Sequence, residues 1–112
     1  MNDNLKAADL LDAAAELIAQ PGAWTRRKGA RDPDGWGCFP NDPEAAAWCA
    51  IGALLNRLPH RFMDDKIYCA AICALNDIVG TAVSAWNDDL STTHSDVLQA
   101  FRDASANLRS TP

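Results

Sequence analysis

The stretch Asp42-Pro43-Glu44-Ala45-Ala46-Ala47-Trp48-Cys49-Ala50-Ile51-Gly52-Ala53-Leu54-Leu55-Asn56-Arg57-Leu58-Pro59 sets the fold class. Asp42 is a helix cap, and Pro43 suits the first helical position because the N–H it lacks would be unpaired there. Pro59 then stops the run. Between them Trp48, Ile51, Leu55 and Leu58 make one stripe, and Cys49, Ala50, Ala53 and Leu54 leave little polar surface elsewhere. A helix that is apolar on all sides is buried by its neighbours. The sequence therefore predicts a helix from Pro43 to about Leu58 inside an all-α fold.

Working outward, the same logic recurs. Ile67 to Leu75 is nine apolar residues in a row, in a helix predicted from about Asp65 to Val79. Asp64 or Asp65 would cap it, and Gly80 would stop it. Leu5 to Gln20 repeats apolar residues at helical spacing through Leu11, Ala15 and Ile18, with Lys6, Asp9, Asp12 and Glu16 on the other side. Pro21-Gly22 ends it. A last helix opens at Thr93, where Thr93-His94-Ser95-Asp96 resembles a capping box with Asp in the final place. Val97, Leu98, Phe101, Ala104 and Leu108 are its apolar side. Thr81 to Leu90 reads either as a short helical turn or as an extended link. The expected architecture is a small bundle of about four helices. The two apolar helices pair through small residues such as Gly52, Ala53, Ala70, Ala71 and Ala74, and the two amphipathic ones cover them. Trp48, Ile51, Leu55, Ile67, Ala71, Leu75 and Phe101 are the predicted core.

No period holds from Ala23 to Asn41, where Gly29, Pro33, Gly35, Gly37 and Pro40 break any regular element. A loop this long is uncommon in a compact domain and often functional. Trp24, Trp36 and Phe39 lie in it, and a short hairpin can form around Asp34-Gly35.

Composition narrows the function classes. The 112 residues suffice for one domain. Apolar residues make up 48% and charged residues 22%, with a net charge of -5. That is globular composition, with no overall electrostatic reason to bind nucleic acid. The longest apolar run, Ala45 to Leu55, is eleven residues, against about 20 for a membrane span. The polar start Met1-Asn2-Asp3-Asn4 does not resemble a secretory signal. Cys38, Cys49, Cys69 and Cys73 are accordingly expected as reduced thiols in a cytoplasmic protein.

Ala30-Arg31-Asp32, Gly35, the run Trp48-Cys49-Ala50-Ile51-Gly52-Ala53-Leu54, Leu75-Asn76 and Trp86-Asn87-Asp88 together resemble a family of small bacterial and phage proteins with a domain of unknown function. The resemblance spans roughly Leu5 to Leu108. It implies a shared fold and a bacterial or phage source, and no activity.

Candidate chemistry is sparse. Cys49, read as two turns into its helix, is too far from the N-terminus to be activated by the dipole. His60 and His94, with Asn87 or Asp88 to orient them, are its conceivable partners in a small cysteine-dependent enzyme. Cys69 and Cys73 share a helix face, yet the spacing of the four cysteines fits no zinc pattern built on two close pairs. Their expected role is core packing. Trp86-Asn87-Asp88-Asp89 offers oxygen ligands without the further acids of a calcium loop. Arg26, Arg27, Lys28 and Arg31 crowd beside Trp24 and Trp36, and basic groups next to aromatics suit binding. Asp32, Asp34, Asp42 and Glu44 offset that charge, which disfavours nucleic acid and leaves a protein as the expected partner. No catalytic set, metal or cofactor is implied. The expectation is a non-enzymatic interaction protein, an accessory protein of a bacterium or phage acting on a host factor. Its contact residues would be Arg26, Arg27, Lys28, Arg31, Trp36, Phe39, Asn87 and Asp88.

Overall fold

Ala7, Leu11, Ala14 and Ile18 follow one another at steps of four, three and four, and all are buried. They lie on α1 (Asp3–Ile18), the helix against which the others assemble. The computed structural model describes residues 3–58 and 65–110. In chain order it continues with β1 (Ala30–Arg31), β2 (Gly37–Cys38), β3 (Ala47–Trp48), α2 (Ala50–Arg57), α3 (Asp65–Val79), α4 (Val83–Asp88) and α5 (His94–Ser110). Pro59 as a stop, Asp64 as a cap and His60 as a cysteine partner lie outside the described residues.

The trunk is α1, α3 and α5, each packed on the other two, while α2 packs on α1 and α4. Ile67, Ala71 and Leu75 of α3 meet Val97, Ala100, Phe101 and Ala104 of α5 in one core with the buried side of α1. The closest helices are not the two most apolar ones, as the sequence suggested. Ala8 and Ser105 show why α1 and α5 pair instead. Both are small and buried, and the Ser105 hydroxyl lies 3.4 Å from the Ala8 carbonyl oxygen. At the rim Arg109 reaches Asp9 at 2.9 Å and Asp12 at 2.6 Å. These pairs are solvent-exposed and add little stability.

The helix expected from Pro43 begins only at Ala50. Asp42 does turn the chain, its Oδ1 accepting the Glu44 N–H at 2.8 Å and its carbonyl the Ala45 N–H at 3.0 Å. One turn on, the backbone is claimed by distant partners. Ala46 N–H donates to Arg31 O at 2.8 Å, Trp48 N–H to Ala23 O at 2.9 Å, and Trp48 O accepts from Thr25 at 3.1 Å. These bonds hold Ala47–Trp48 extended, so tertiary pairing overrides the helical preference of three alanines. With the start moved, the inward side of α2 is Ala50, Ala53 and Leu54, all fully buried. Ile51 and Leu55, expected in the core, are half-buried. Trp48, Ile67, Ala71, Leu75 and Phe101 are buried as expected.

The long loop supplies β1 and β2 of a small antiparallel sheet in the order β2-β1-β3, which β3 from the following segment completes. Ala30 stands opposite both Cys38 and Trp48, and Arg31 opposite Gly37 and Ala47. A parallel bridge ties Trp24 to Trp48. The protein is thus mostly helical, with five helices among the described residues and a three-stranded sheet, rather than all-α. The ambiguous link is the short helix α4, whose first N–H, on Val83, donates to Asn76 Oδ1 at 2.8 Å. The Thr93 box is reciprocal. Asp96 N–H donates to Thr93 Oγ1 at 3.1 Å, and Thr93 N–H to Asp96 Oδ2 at 3.0 Å.

Candidate functional site

α4 carries Asn87 into the interior, where it is 1% exposed. An amide offers two acceptor sites and two donors, and all four are used. Its Oδ1 accepts from Trp24 Nε1 at 2.8 Å and from the Ala50 N–H at 3.0 Å. Its Nδ2 donates to Thr25 O at 3.2 Å and to Asp88 Oδ1 at 3.1 Å. One side chain therefore joins the loop, the start of α2 and α4. Asp88 extends the joint, its Oδ1 accepting the Arg27 N–H at 2.7 Å. Arg27 has φ 71, a left-handed conformation uncommon outside glycine. Asn87 and Asp88, expected to contact a partner, spend these bonds inside the chain.

The basic stretch divides in two. Arg26 lies 4.6 Å from the Trp24 ring centroid and donates to the Thr92 carbonyl. Trp24 also stacks with His94 at 5.8 Å, and His94 Nε2 is bonded to the Ile18 carbonyl. Arg31 uses Nε on Thr25 Oγ1 at 2.8 Å, Nη1 on Gly35 O at 2.9 Å and Nη2 on Arg26 O at 3.1 Å. Arg26 and Arg31 are thus staples of the loop. Arg27 and Lys28 are exposed.

Cys49 is the N-cap of α2, not a mid-helix residue. Its thiol accepts the Gly52 N–H at 3.2 Å, and its own N–H donates to Gly29 O at 3.2 Å. A helix start favours a thiolate, but burial works against the charge. Desolvation pushes the Cys49 thiol above its ordinary value, and the nearby Asp88 carboxylate adds to this. The N–H groups of Gly52 and Ile51 oppose the shift without reversing it. His94, a conceivable partner from the sequence, is instead held on Trp24 and the Ile18 carbonyl. Tyr68 of α3 is also pushed up, first by burial and then by the nearness of Cys49 and Cys69.

All four cysteines are free thiols. Cys69 and Cys73 are exposed on α3, which corrects their expected role in the core. Among the described residues no group of three or more His, Cys, Asp or Glu side chains could hold a metal ion. No described helix is long and apolar enough to cross a membrane.

What the loop presents outward is aromatic. Trp36 is 73% exposed and Phe39 82%, yet the turn between β1 and β2 is fixed. Asp32 Oδ1 accepts the N–H groups of Asp34 and Trp36, each at 3.0 Å. Gly35, at φ 88, supplies the positive φ the turn requires. The bond from Arg31 to Gly35 O closes it. Beside Phe39 is a shallow depression of about 440 Å³, lined by Lys28, Gly29, Gly37, Cys38 and Asp42. Burial, then Asp42 and Asp32, push the Cys38 thiol up.

Sequence reasoning placed the aromatics and the basic residues in one loop but did not find the joint at Asn87. No local signal could reveal it, because the groups it joins are 37 and 63 positions away. Trp48-Cys49-Ala50-Ile51-Gly52-Ala53-Leu54 and Trp86-Asn87-Asp88 meet at that joint, where their side chains cap, bridge and pack.

Neither a curated protein nor a solved structure matches the chain. Residues 2–107, from just before α1 into the later turns of α5, match DUF6197, and the chain belongs to this family of unknown function.

Proposed function

We propose that the protein is a non-enzymatic interaction protein, and that the end of the β1–β2 hairpin, from Trp36 to Phe39, is its contact surface. The observation that carries this reading is the exposure of two large aromatics, Trp36 at the end of a turn whose backbone is already bonded and Phe39 just past β2. Large aromatics lose little conformational entropy on contact and are enriched at the energetic centres of interfaces. The outward Arg27 and Lys28 are rim charges, which steer and orient a partner. The partner is a protein, since the net charge of -5 and the acids Asp32, Asp34 and Asp42 disfavour a polyanion. A cytoplasmic accessory protein of a bacterium or phage, acting on a host factor, fits this surface. A cysteine enzyme built on Cys49 lacks comparable support, because that thiol is an engaged helix cap held protonated by burial.

The test compares the wild-type chain with a Trp36→Ala, Phe39→Ala double variant on the same bacterial lysate. A protein captured by the wild type is expected to be lost from the variant, with folding unchanged. Equal capture by both would remove the hairpin from Trp36 to Phe39 as the contact surface.

A further inference from the structure

Nine consecutive apolar residues give α3 more apolar surface than its inward side can use. Ile67, Ala71 and Leu75 take the core positions. Cys69 and Cys73 are exposed, and with Lys66 and Asp77, also exposed, they form an outward stripe at steps of three, four and four. The two thiols belong neither to the core nor to the joint at Asn87. Exposed thiols are open to oxidation, and alanine is a better helix former. Packing and helix propensity therefore do not account for the pair.

Side chains four apart on a helix have Cβ atoms about 5–6 Å apart. A disulfide needs about 3.5–4.5 Å, so the pair does not close on itself while α3 is intact. Two thiolates at about 2.3 Å from one zinc ion are under 5 Å apart. Cysteines one turn apart can meet that spacing by rotating about χ1. Sulfur ligands select a soft or borderline cation over magnesium or calcium. A closed zinc site takes four ligands, and among the described residues no third ligand side chain joins this pair. A second copy of α3, antiparallel about a two-fold axis midway between the cysteines, supplies the other two. It sets each Cys69 beside the second copy's Cys73. It also brings the Lys66 end of each stripe to the Asp77 end of the other, so the stripe is complementary to itself in charge. Two-fold dimers are the commonest closed assemblies.

We infer that Cys69 and Cys73 are half of a binding site for a zinc-class divalent cation, completed by the same pair on a second copy of the chain. On binding, four S–H groups release their protons to solvent as four metal–sulfur bonds form, and nothing is oxidised. The test adds zinc chloride alone to the reduced 112-residue chain. The expected result is one ion per two chains, with a dimer in sedimentation that a chelator dissociates. Cys69→Ser with Cys73→Ser should bind no ion and stay monomeric with unchanged helix content, while Cys38→Ser should behave as the wild type. The inference is overturned by one ion per monomer, by zinc retained in the double variant, or by a dimer that forms only as a covalent bridge without metal.

Discussion

A methyl group on Gly52 would stand 1.8 Å from the Gly29 carbonyl oxygen. That oxygen also accepts the Cys49 N–H, so the loop backbone lies directly on the first turn of α2. Gly52→Ala must push them apart, and a loss of about 2 kcal/mol or more in urea unfolding is expected, at the level of overpacked cores. Asn87→Ala removes both acceptors and both donors at once. It leaves Trp24 Nε1 and the Ala50 N–H without their bonds, at about 1–3 kcal/mol for each buried group. A total near 3 kcal/mol is expected, and a loss below 1 kcal/mol would show that water replaces the amide. The thiols give a separate check by alkylation under native conditions. Cys69 and Cys73, being exposed, should react first, and Cys49 slowly, because burial keeps it a thiol. The sign of its pH dependence follows. The folded value is raised above the unfolded one, so the stabilising contribution is complete below the ordinary thiol value of 9.0. It is lost as the pH rises through the raised value. As the pH rises above 9.0 toward the raised value, wild-type stability should therefore fall more steeply than that of Cys49→Ser.

At the scale of elements, α2 decides whether the helix faces are understood. Leu54 is fully buried and Leu55 half-buried, although the sequence stripe chose Leu55. Leu54→Ala should cost about 2–5 kcal/mol, and Leu55→Ala clearly less. The reverse order would mean that α2 is rotated about its axis. The sequence carried α1, α3 and α5 because their apolar steps and caps are local. The reciprocal bonds of Thr93 and Asp96 lie three residues apart, within reach of a reading along the chain. It did not carry β3, because what holds Ala47–Trp48 extended comes from Ala23, Thr25 and Arg31. Asp42-Pro43 is a sound helix start that yields a single turn. The candidate surface was legible as a loop rich in aromatics, and its sorting was not. Arg26 and Arg27 are adjacent, yet one is stapled to Trp24 and Thr92 while the other is exposed. Only the left-handed turn at Arg27, fixed by Asp88, separates them.

Over the whole molecule, a helical trunk bears a loop sheet that has little apolar area of its own. Of the six strand residues, only Ala30 and Trp48 are buried. Two-residue strands do not stand alone, so the sheet depends on what fastens it. Asn87, Asp88 and Arg26 fasten its approach from Trp24 to Arg27. Pro40 O fastens the other end, accepting from Trp48 Nε1 at 2.9 Å and Asn56 Nδ2 at 2.8 Å. If these ties make one cooperative unit, the amide hydrogens of Thr25, Trp48 and Ala50 should exchange as slowly as those of Leu11 and Phe101 in the trunk. Slow exchange of both sets reports global opening. In Asn87→Ala the two sets should part. The loop amides should exchange faster by more than the change in global stability, while the trunk amides should follow global stability alone. A change shared equally by both sets would mean that α4 holds up the trunk rather than the loop. In that event Trp36 would owe its fixed position to the Asp32 and Arg31 bonds within the turn. Arg31→Ala would then be the variant that frees the contact surface.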